Sequence, residues 1–291
     1  MRIHIQHKTR YDYDAPVQLG PHLLRLRPRL DGDCAEIEYA LHIDPEPSAR
    51  RDCLDAAGNR ITRLWFDRET RHLQLHVHLL VETGDTDRLI PCLEPDALRL
   101  PLGYPATDAA LLSPYLTAAG ADPALTALAE KLSAAADGDA YRFLQQLNQY
   151  LYHNILREIR PSGMPQTPAQ TLARGRGACR DQAVLFIGLC RAVGLAARFV
   201  SGYQDRSAMD TERRYLHAWP ETYLPGFGWH GWDPTRGIEV TDGHIALAAA
   251  PHPTGTMPVE GCYFGDAGSR MGFELQVDSD ADIRKQIDTT A

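Results

Sequence analysis

Ile3 and Ile5 alternate with Arg2, His4 and Gln6, and further on Leu73, Leu75, Val77 and Leu79 alternate with His72, Gln74, His76 and His78. A period of two sends one set of side chains into a core and the other toward water, so both stretches read as half-buried strands. Between them Asp55-Ala56-Ala57-Gly58-Asn59 is a turn that joins 50–54 to 61–66. Residues 1–100 thus predict an N-terminal antiparallel β-sandwich domain. His72, His76 and His78 share one strand face. With no acidic or cysteine ligand at matching spacing, they read as a solvated face and not as a zinc site.

The pattern changes across a Pro-rich stretch, 86–120, which carries Pro91, Pro95, Pro101, Pro105 and Pro114. The boundary is placed there, and residues 101–291 form a second unit that mixes helices and strands. Asp122-Pro123 opens a helix, with the aspartate as N-cap and the proline at the first helical position; Leu125, Leu128 and Leu132 form its apolar stripe. A second helix runs from about Asp139 with Phe143, Leu144, Leu147, Tyr150, Leu151 and Ile155 on one face. The unbroken apolar run 183–190 predicts a buried helix that stops at Gly194. After it, 196–203 reads as a strand. Two aromatic-rich strands, 215–224 and 229–235, are joined by the turn Pro225-Gly226-Phe227-Gly228. The runs 245–250 and 272–277 suggest further strands within the second unit, 204–214 a polar surface loop, and 280–291 a frayed tail.

Charge narrows the function. The 38 acidic and 30 basic side chains give a net charge of −8, which argues against a nucleic-acid surface. No apolar run approaches the roughly 20 residues of a membrane span, and no leader-like segment precedes the first strand. The six cysteines show no paired or metal-ligand spacing. The expectation is a cytoplasmic protein with neither nucleic-acid nor membrane partner; the sequence leaves its oligomeric state open.

The candidate chemistry sits in Gly175-Arg176-Gly177-Ala178-Cys179-Arg180-Asp181-Gln182. Cys179 falls at the start of the buried helix, where unpaired N–H groups and the helix dipole favour a thiolate. Taken alone it reads first as a small core residue, as most free cysteines are. His217 and Asp233 fall on the two aromatic-rich strands, a few residues from opposite each other. A carboxylate there can hold one imidazole nitrogen and leave the other for the thiol. Asp181 suits a helix N-terminal charge. Trp219 shares the His217 face, as a substrate-binding wall of a cleft or as a core residue; Trp232 faces away from the site and reads as core.

Gly177-Ala178-Cys179-Arg180-Asp181, the run 194–203, His217-Ala218-Trp219 and Trp232-Asp233-Pro234-Thr235 resemble, in order and spacing, the bacterial transglutaminase-like proteins over about residues 140–240. Residues 1–100 more weakly resemble that family's N-terminal β-domain. The resemblance implies an α+β fold with a papain-like core and a Cys179–His217–Asp233 triad that needs no metal or organic cofactor. It implies acyl transfer through a thioester on a peptide or protein amide or glutamine side chain, the acceptor being water (an amide or isopeptide hydrolase) or an amine (a transglutaminase). A catalytically silent peptide-binding module using the same cleft is the alternative, and arylamine acetyl transfer a minor one. Three positions depart from the family pattern. Gln182 and Val184 stand where it has an aromatic and a histidine, Pro220 follows His-Ala-Trp and predicts an edge or bulged strand, and 248–253 replaces a polar tail motif.

Overall fold

The computed structural model describes residues 1–31, 34–84, 98–117, 122–205 and 215–280. The N-terminal alternation becomes an antiparallel sheet in the order β2 (Cys34–Asp44), β5 (Glu69–Thr83), β1 (Arg2–Leu24), β4 (Arg60–Trp65), β3 (Ala49–Leu54). Ile3 and Ile5 of β1 and Leu73, Leu75, Val77, Leu79 and Val81 of β5 point into its core. β1 pairs with β5 along its first half, breaks register between Asp12 and Val17, and pairs with β4 at its end.

Among the described residues, five α-helices follow: α1 (Ala106–Leu116), α2 (Pro123–Ala135), α3 (Ala140–Asn154), α4 (Pro168–Arg174) and α5 (Cys179–Ala192). α1 lies within the stretch expected as a bare connection and carries Pro114 inside it. Asp122 caps α2 by accepting the N–H groups of Ala124 and Leu125, and Asp139 caps α3 through Arg142 N–H, as their positions predict. α5 is the buried helix. Leu185, Phe186, Ile187 and Leu189 have lost nearly all contact with water, each contributing about 1.5–3 kcal/mol. It ends where Gly194, at φ 76°, takes the left-handed conformation that stops helices.

α5 packs on the second sheet, β11 (Ile238–Glu239), β10 (Gly228–Asp233), β9 (His217–Leu224), β8 (Ala197–Gln204), β12 (His244–Ala250), in that order. A two-stranded parallel ladder, β6 (Leu156–Arg157) with β7 (Arg176–Gly177), lies just before α5. β9 is internal, so Pro220 does not mark an edge. The β9–β10 ladder ends at Glu221–Gly231, one residue short of the proline, and the missing N–H falls where that pairing stops.

The chain-order division does not match the pairing. β13 (Val259–Phe264) and β14 (Ser269–Ser279), expected with the second unit, are hydrogen-bonded to β1, β14 along Ile3–Tyr13. They complete the N-terminal sheet at seven strands, because the first half of β1 otherwise has a partner on one side only. The two units also share an interior: Tyr203 of β8 and Ile245 and Leu247 of β12 pack into the same apolar cluster as Ile3, Ile5 and Leu75. The loop 206–214, the tail 281–291 and the segment 85–97 of the Pro-rich stretch lie outside the described residues.

Candidate active site

The chain before α5 is held from two sides. Leu156 and Glu158 donate backbone hydrogen bonds to the carbonyls of Gly175 and Gly177. Gly175 closes α4 in the left-handed conformation at φ 59°. Gly177 is required for space: a Cβ there would lie 2.8 Å from Asp181 Cβ. Ala178 is the N-cap but has no side-chain oxygen, so Asp181 supplies the acceptor from within the first turn. Its Oδ2 accepts Ala178 N–H at 2.8 Å, and its Oδ1 accepts Gln166 N–H at 2.7 Å and Arg160 Nη2. Asp181 is wholly buried. It ties the loop before α4 to the helix start and does not face the imidazole.

Cys179 is thus the first residue of α5, partly exposed. Burial pushes its thiol up, but a hydrogen bond to His217, the His217 charge, the Ala218 N–H and the Arg157 guanidinium more than offset this and leave the thiol more acidic than usual. Cys190, on the far part of the same helix, is raised well above the usual value by burial alone, with only Arg191 opposing. His217 Nε2 lies 3.0 Å from Asp233 Oδ2, with both side chains buried. Burial pulls the imidazole down, but the Asp233 charge and hydrogen bond, with Cys179, raise it to about 9. Burial opposes the Asp233 charge as well, yet His217 and His244 hold its carboxyl well below the usual range.

The structure therefore brings Cys179, His217 and Asp233 together, each from a different element. Trp219 is not a cleft wall. It is 1% exposed and lies beneath the site, packed with Val200 and Ala249, its ring 6.0 Å from the His217 ring. Gly202 makes room for it, since a Cβ there would meet Trp219 Cη2 at 2.6 Å. Trp232 is core, donating to Thr222 Oγ1 at 3.0 Å and stacked near Phe186.

Three residues that sequence reading missed complete the site. Thr235 gives its backbone N–H and its hydroxyl to Asp233 Oδ1, at 3.0 and 2.6 Å. Gln204 Nε2 and His244 Nε2 both reach Asp233 Oδ2, at 2.7 and 3.1 Å. Thr235 lies in the Trp232–Thr235 motif, but for Gln204 and His244 the only available signal was position: one ends a strand and the other begins one, where polar side chains are ordinary. Among the described residues, His217, Asp233 and His244 are the one group whose atoms approach closely enough to share an ion. Those atoms are already turned toward one another in hydrogen bonds, so the group reads as a closed network and not as a ligand set. On the N-terminal sheet, His72 bonds Asp44 at 2.8 Å and His78 bonds His76 at 3.3 Å, on a partly exposed face.

Residues 3–82 match the bacterial transglutaminase-like N-terminal region, and residues 126–234 match the transglutaminase-like superfamily. The chain belongs to the transglutaminase-like proteins. Its fold is α+β, a transglutaminase-like core behind an N-terminal antiparallel sheet region, as expected. This transglutaminase-like protein is 25% identical over 297 residues to an uncharacterized protein of Mycobacterium tuberculosis, covering 95% of this chain and 92% of that one. It is 28% identical over 120 residues to one of Mycobacterium leprae, a match that spans 40% of this chain and 42% of that relative. Among solved structures, a candidate cysteine protease from Cytophaga hutchinsonii superposes with a TM-score of 0.66 at 20% identity, covering 96% of this chain and 92% of that one. The periplasmic domain of TgpA from Pseudomonas aeruginosa superposes at 0.39 with 16% identity, covering 79% of this chain and 90% of that domain. No helix among the described residues is long and apolar enough to cross a membrane.

Proposed function

We propose that this protein is a thiol acyltransferase working through Cys179, His217 and Asp233. The observation that carries the reading is His217, buried between a thiol it hydrogen-bonds and a carboxylate 3.0 Å from its Nε2. With Nε2 turned to Asp233, Nδ1 is the nitrogen left for the sulfur. The Cys179 thiolate attacks the carbonyl carbon of an amide in a peptide or protein, and a tetrahedral oxyanion forms. The Cys179 backbone N–H, at the first position of α5, is suited to stabilise that oxygen. The His217 imidazolium then gives its proton to the nitrogen as the C–N bond breaks, releasing the amine and leaving a thioester. Neutral His217 next takes a proton from the acceptor, water for hydrolysis or an amine for transfer, as it attacks the thioester and returns the thiol. Asp233 fixes the imidazole orientation and stabilises its charged form throughout.

The test is competition among thiols. With limiting iodoacetamide near neutral pH, mass spectrometry should find Cys179 alkylated ahead of Cys262, although Cys262 is the more exposed. An activated ester should leave its acyl group on Cys179, and His217→Ala should abolish that preference. First labelling at Cys262 or Cys34 would overturn the assignment.

A further inference from the structure

Asp233 Oδ2 serves three donors at once: His217 Nε2 at 3.0 Å, Gln204 Nε2 at 2.7 Å and His244 Nε2 at 3.1 Å. All four side chains are buried. The His244 tautomer is fixed by its other nitrogen: the Thr241 backbone N–H donates to Nδ1 at 3.2 Å, so the proton sits on Nε2, facing the carboxylate. The Trp219 ring, edge-on at 5.3 Å, packs the imidazole in that orientation. Gln204 Nε2 and His244 Nε2 come within 3.0 Å of each other because both converge on one oxygen.

Burying an imidazole and an amide is costly unless they are bonded, and the neighbouring β12 positions Ile245 and Leu247 are apolar. What the two polar side chains supply is a pair of neutral donors that compete with the charged one. Each draws negative charge on Oδ2 toward itself and leaves less for His217. Too tight a carboxylate–imidazolium pair would hold the proton that the leaving amine needs. We propose that His244 and Gln204 are positioning residues that share the orienting oxygen of Asp233 and so keep His217 acidic enough to release its proton. This rests on the triad reading given above.

The charged and titratable groups around this centre come from several elements. Cys179 of α5 faces His217, Arg157 of β6 faces Cys179, and Arg236 after β10 acts on His244. Asp205, after β8, hydrogen-bonds Gly243 beside His244, and Asp242 precedes both in the chain. Burial keeps His244 neutral below the ordinary imidazole range, so it acts as a fixed donor and not as a second titrating base.

The experiment is the pH dependence of Cys179 alkylation by iodoacetate, with neutral iodoacetamide as control. The anionic reagent is attracted by the imidazolium, so its alkaline limb marks loss of the His217 proton. In His244→Phe and in Gln204→Met the limb should move alkaline by about half to one pH unit, whereas His244→Gln, which keeps an N–H donor, should return it toward wild type. A purely structural role would lower thermal stability and leave the limb in place. Coincident limbs in folded variants, or an acid shift, overturn the proposal. Should the variants not fold, ¹⁵N NMR of wild type decides: neutral His244, observed at pH 7 to 8, should carry its proton on Nε2, and a neutral tautomer protonated on Nδ1 overturns it. If wild type shows no preference for Cys179 over Cys262, the triad reading itself fails, a result distinct from unmoved limbs.

Discussion

Asn59 pairs with Ala249 as one strand pairs with another: its Nδ2 donates to the Ala249 carbonyl at 3.0 Å and its Oδ1 accepts the Ala249 N–H at 2.8 Å. Asn59 lies in the turn before β4 and Ala249 in β12, so one fully buried side chain bolts the N-terminal sheet to the strand that carries His244. Asp55 and Arg29 hold the amide from behind. Asn59→Ala would leave a buried N–H and carbonyl unpaired, at about 2–4 kcal/mol by the usual cost of orphaned groups. Urea unfolding should show that loss, and tryptophan fluorescence and far-UV circular dichroism should report one shared transition. A separate early transition would show that the two units are energetically independent.

His7 gives the stability curve an acid side. It is buried in the first sheet, bonded to Tyr203 Oη at 3.0 Å and Thr9 Oγ1 at 3.2 Å. Burial, with the nearby His76, lowers its pKa from 6.5 to about 4. Between those values the unfolded chain binds a proton that the folded chain refuses. The stabilisation is thus present above pH 6.5 and lost as pH falls toward 4, an amount on the order of 3 kcal/mol. His7→Gln, which can still hydrogen-bond but does not titrate, should flatten the dependence of unfolding free energy on pH in that window. An unchanged slope would assign the acid loss to other groups.

His217 acts on the other side. Its folded pKa is raised from 6.5 to about 9, so its contribution is full below pH 6.5 and is lost as pH rises through 9. The melting temperature of wild type should fall over that range more steeply than that of His217→Gln. Equal slopes would mean that the imidazolium pair does not contribute to folding.

Much of this was legible in the sequence where one pattern had one meaning. The β1 and β5 alternation, the Asp122 and Asp139 caps and the apolar run of α5 are local signals, and they appear where expected. Cys179, His217 and Asp233 were readable because a helix start and two aromatic-rich strands place them, and because the motifs around them resemble the transglutaminase-like proteins in order and spacing. The rest depended on long-range register. Nothing local in 269–279 says that it will pair with Ile3–Tyr13. Nor does a glutamine ending β8 or a histidine opening β12 announce that both will converge on Asp233. Trp219 shares the His217 face, but that face looks inward, because Gly202 and Ala249 open a slot for the indole.

Gly177 and Asp181 set how firmly the nucleophile is held. Gly177→Ala would press a methyl against Asp181 Cβ and, at 3.1 Å, Thr171 Cγ2. Overpacking of this kind costs about 1–3 kcal/mol. Asp181→Asn would turn an amide N–H toward the Ala178 or the Gln166 N–H, neither of which can rotate away. Both variants should melt lower than wild type and slow Cys179 alkylation, while the labelling rate of Cys262 stays unchanged. Full Cys179 reactivity in a folded Asp181→Asn would remove Asp181 from any role in aiming the thiol.

Asp233→Asn is the most informative single change. The carboxylate accepts five hydrogen bonds, two from Thr235 on Oδ1 and three on Oδ2. An asparagine offers one oxygen and one NH₂. With the NH₂ toward Thr235 it meets a backbone N–H that cannot turn. With the NH₂ toward the histidines it meets His244 Nε2–H, whose tautomer Thr241 fixes. Either way one N–H opposes another in a buried site, a cost of about 2–4 kcal/mol. The charge is lost as well. Burial then acts on His217 without its main opposing partner, so the imidazole should fall back from about 9 toward or below its ordinary value, and the thiol should rise. Cys179 alkylation at pH 7 should slow by about tenfold or more. Thr235→Val separates the two effects. It deletes one neutral donor and keeps the charge, so it should cost about 1 kcal/mol and leave the labelling rate within a factor of about two. If Asp233→Asn folds and still labels at the wild-type rate, Asp233 does not hold the imidazolium, and the ion pair must draw its stability from Cys179 alone.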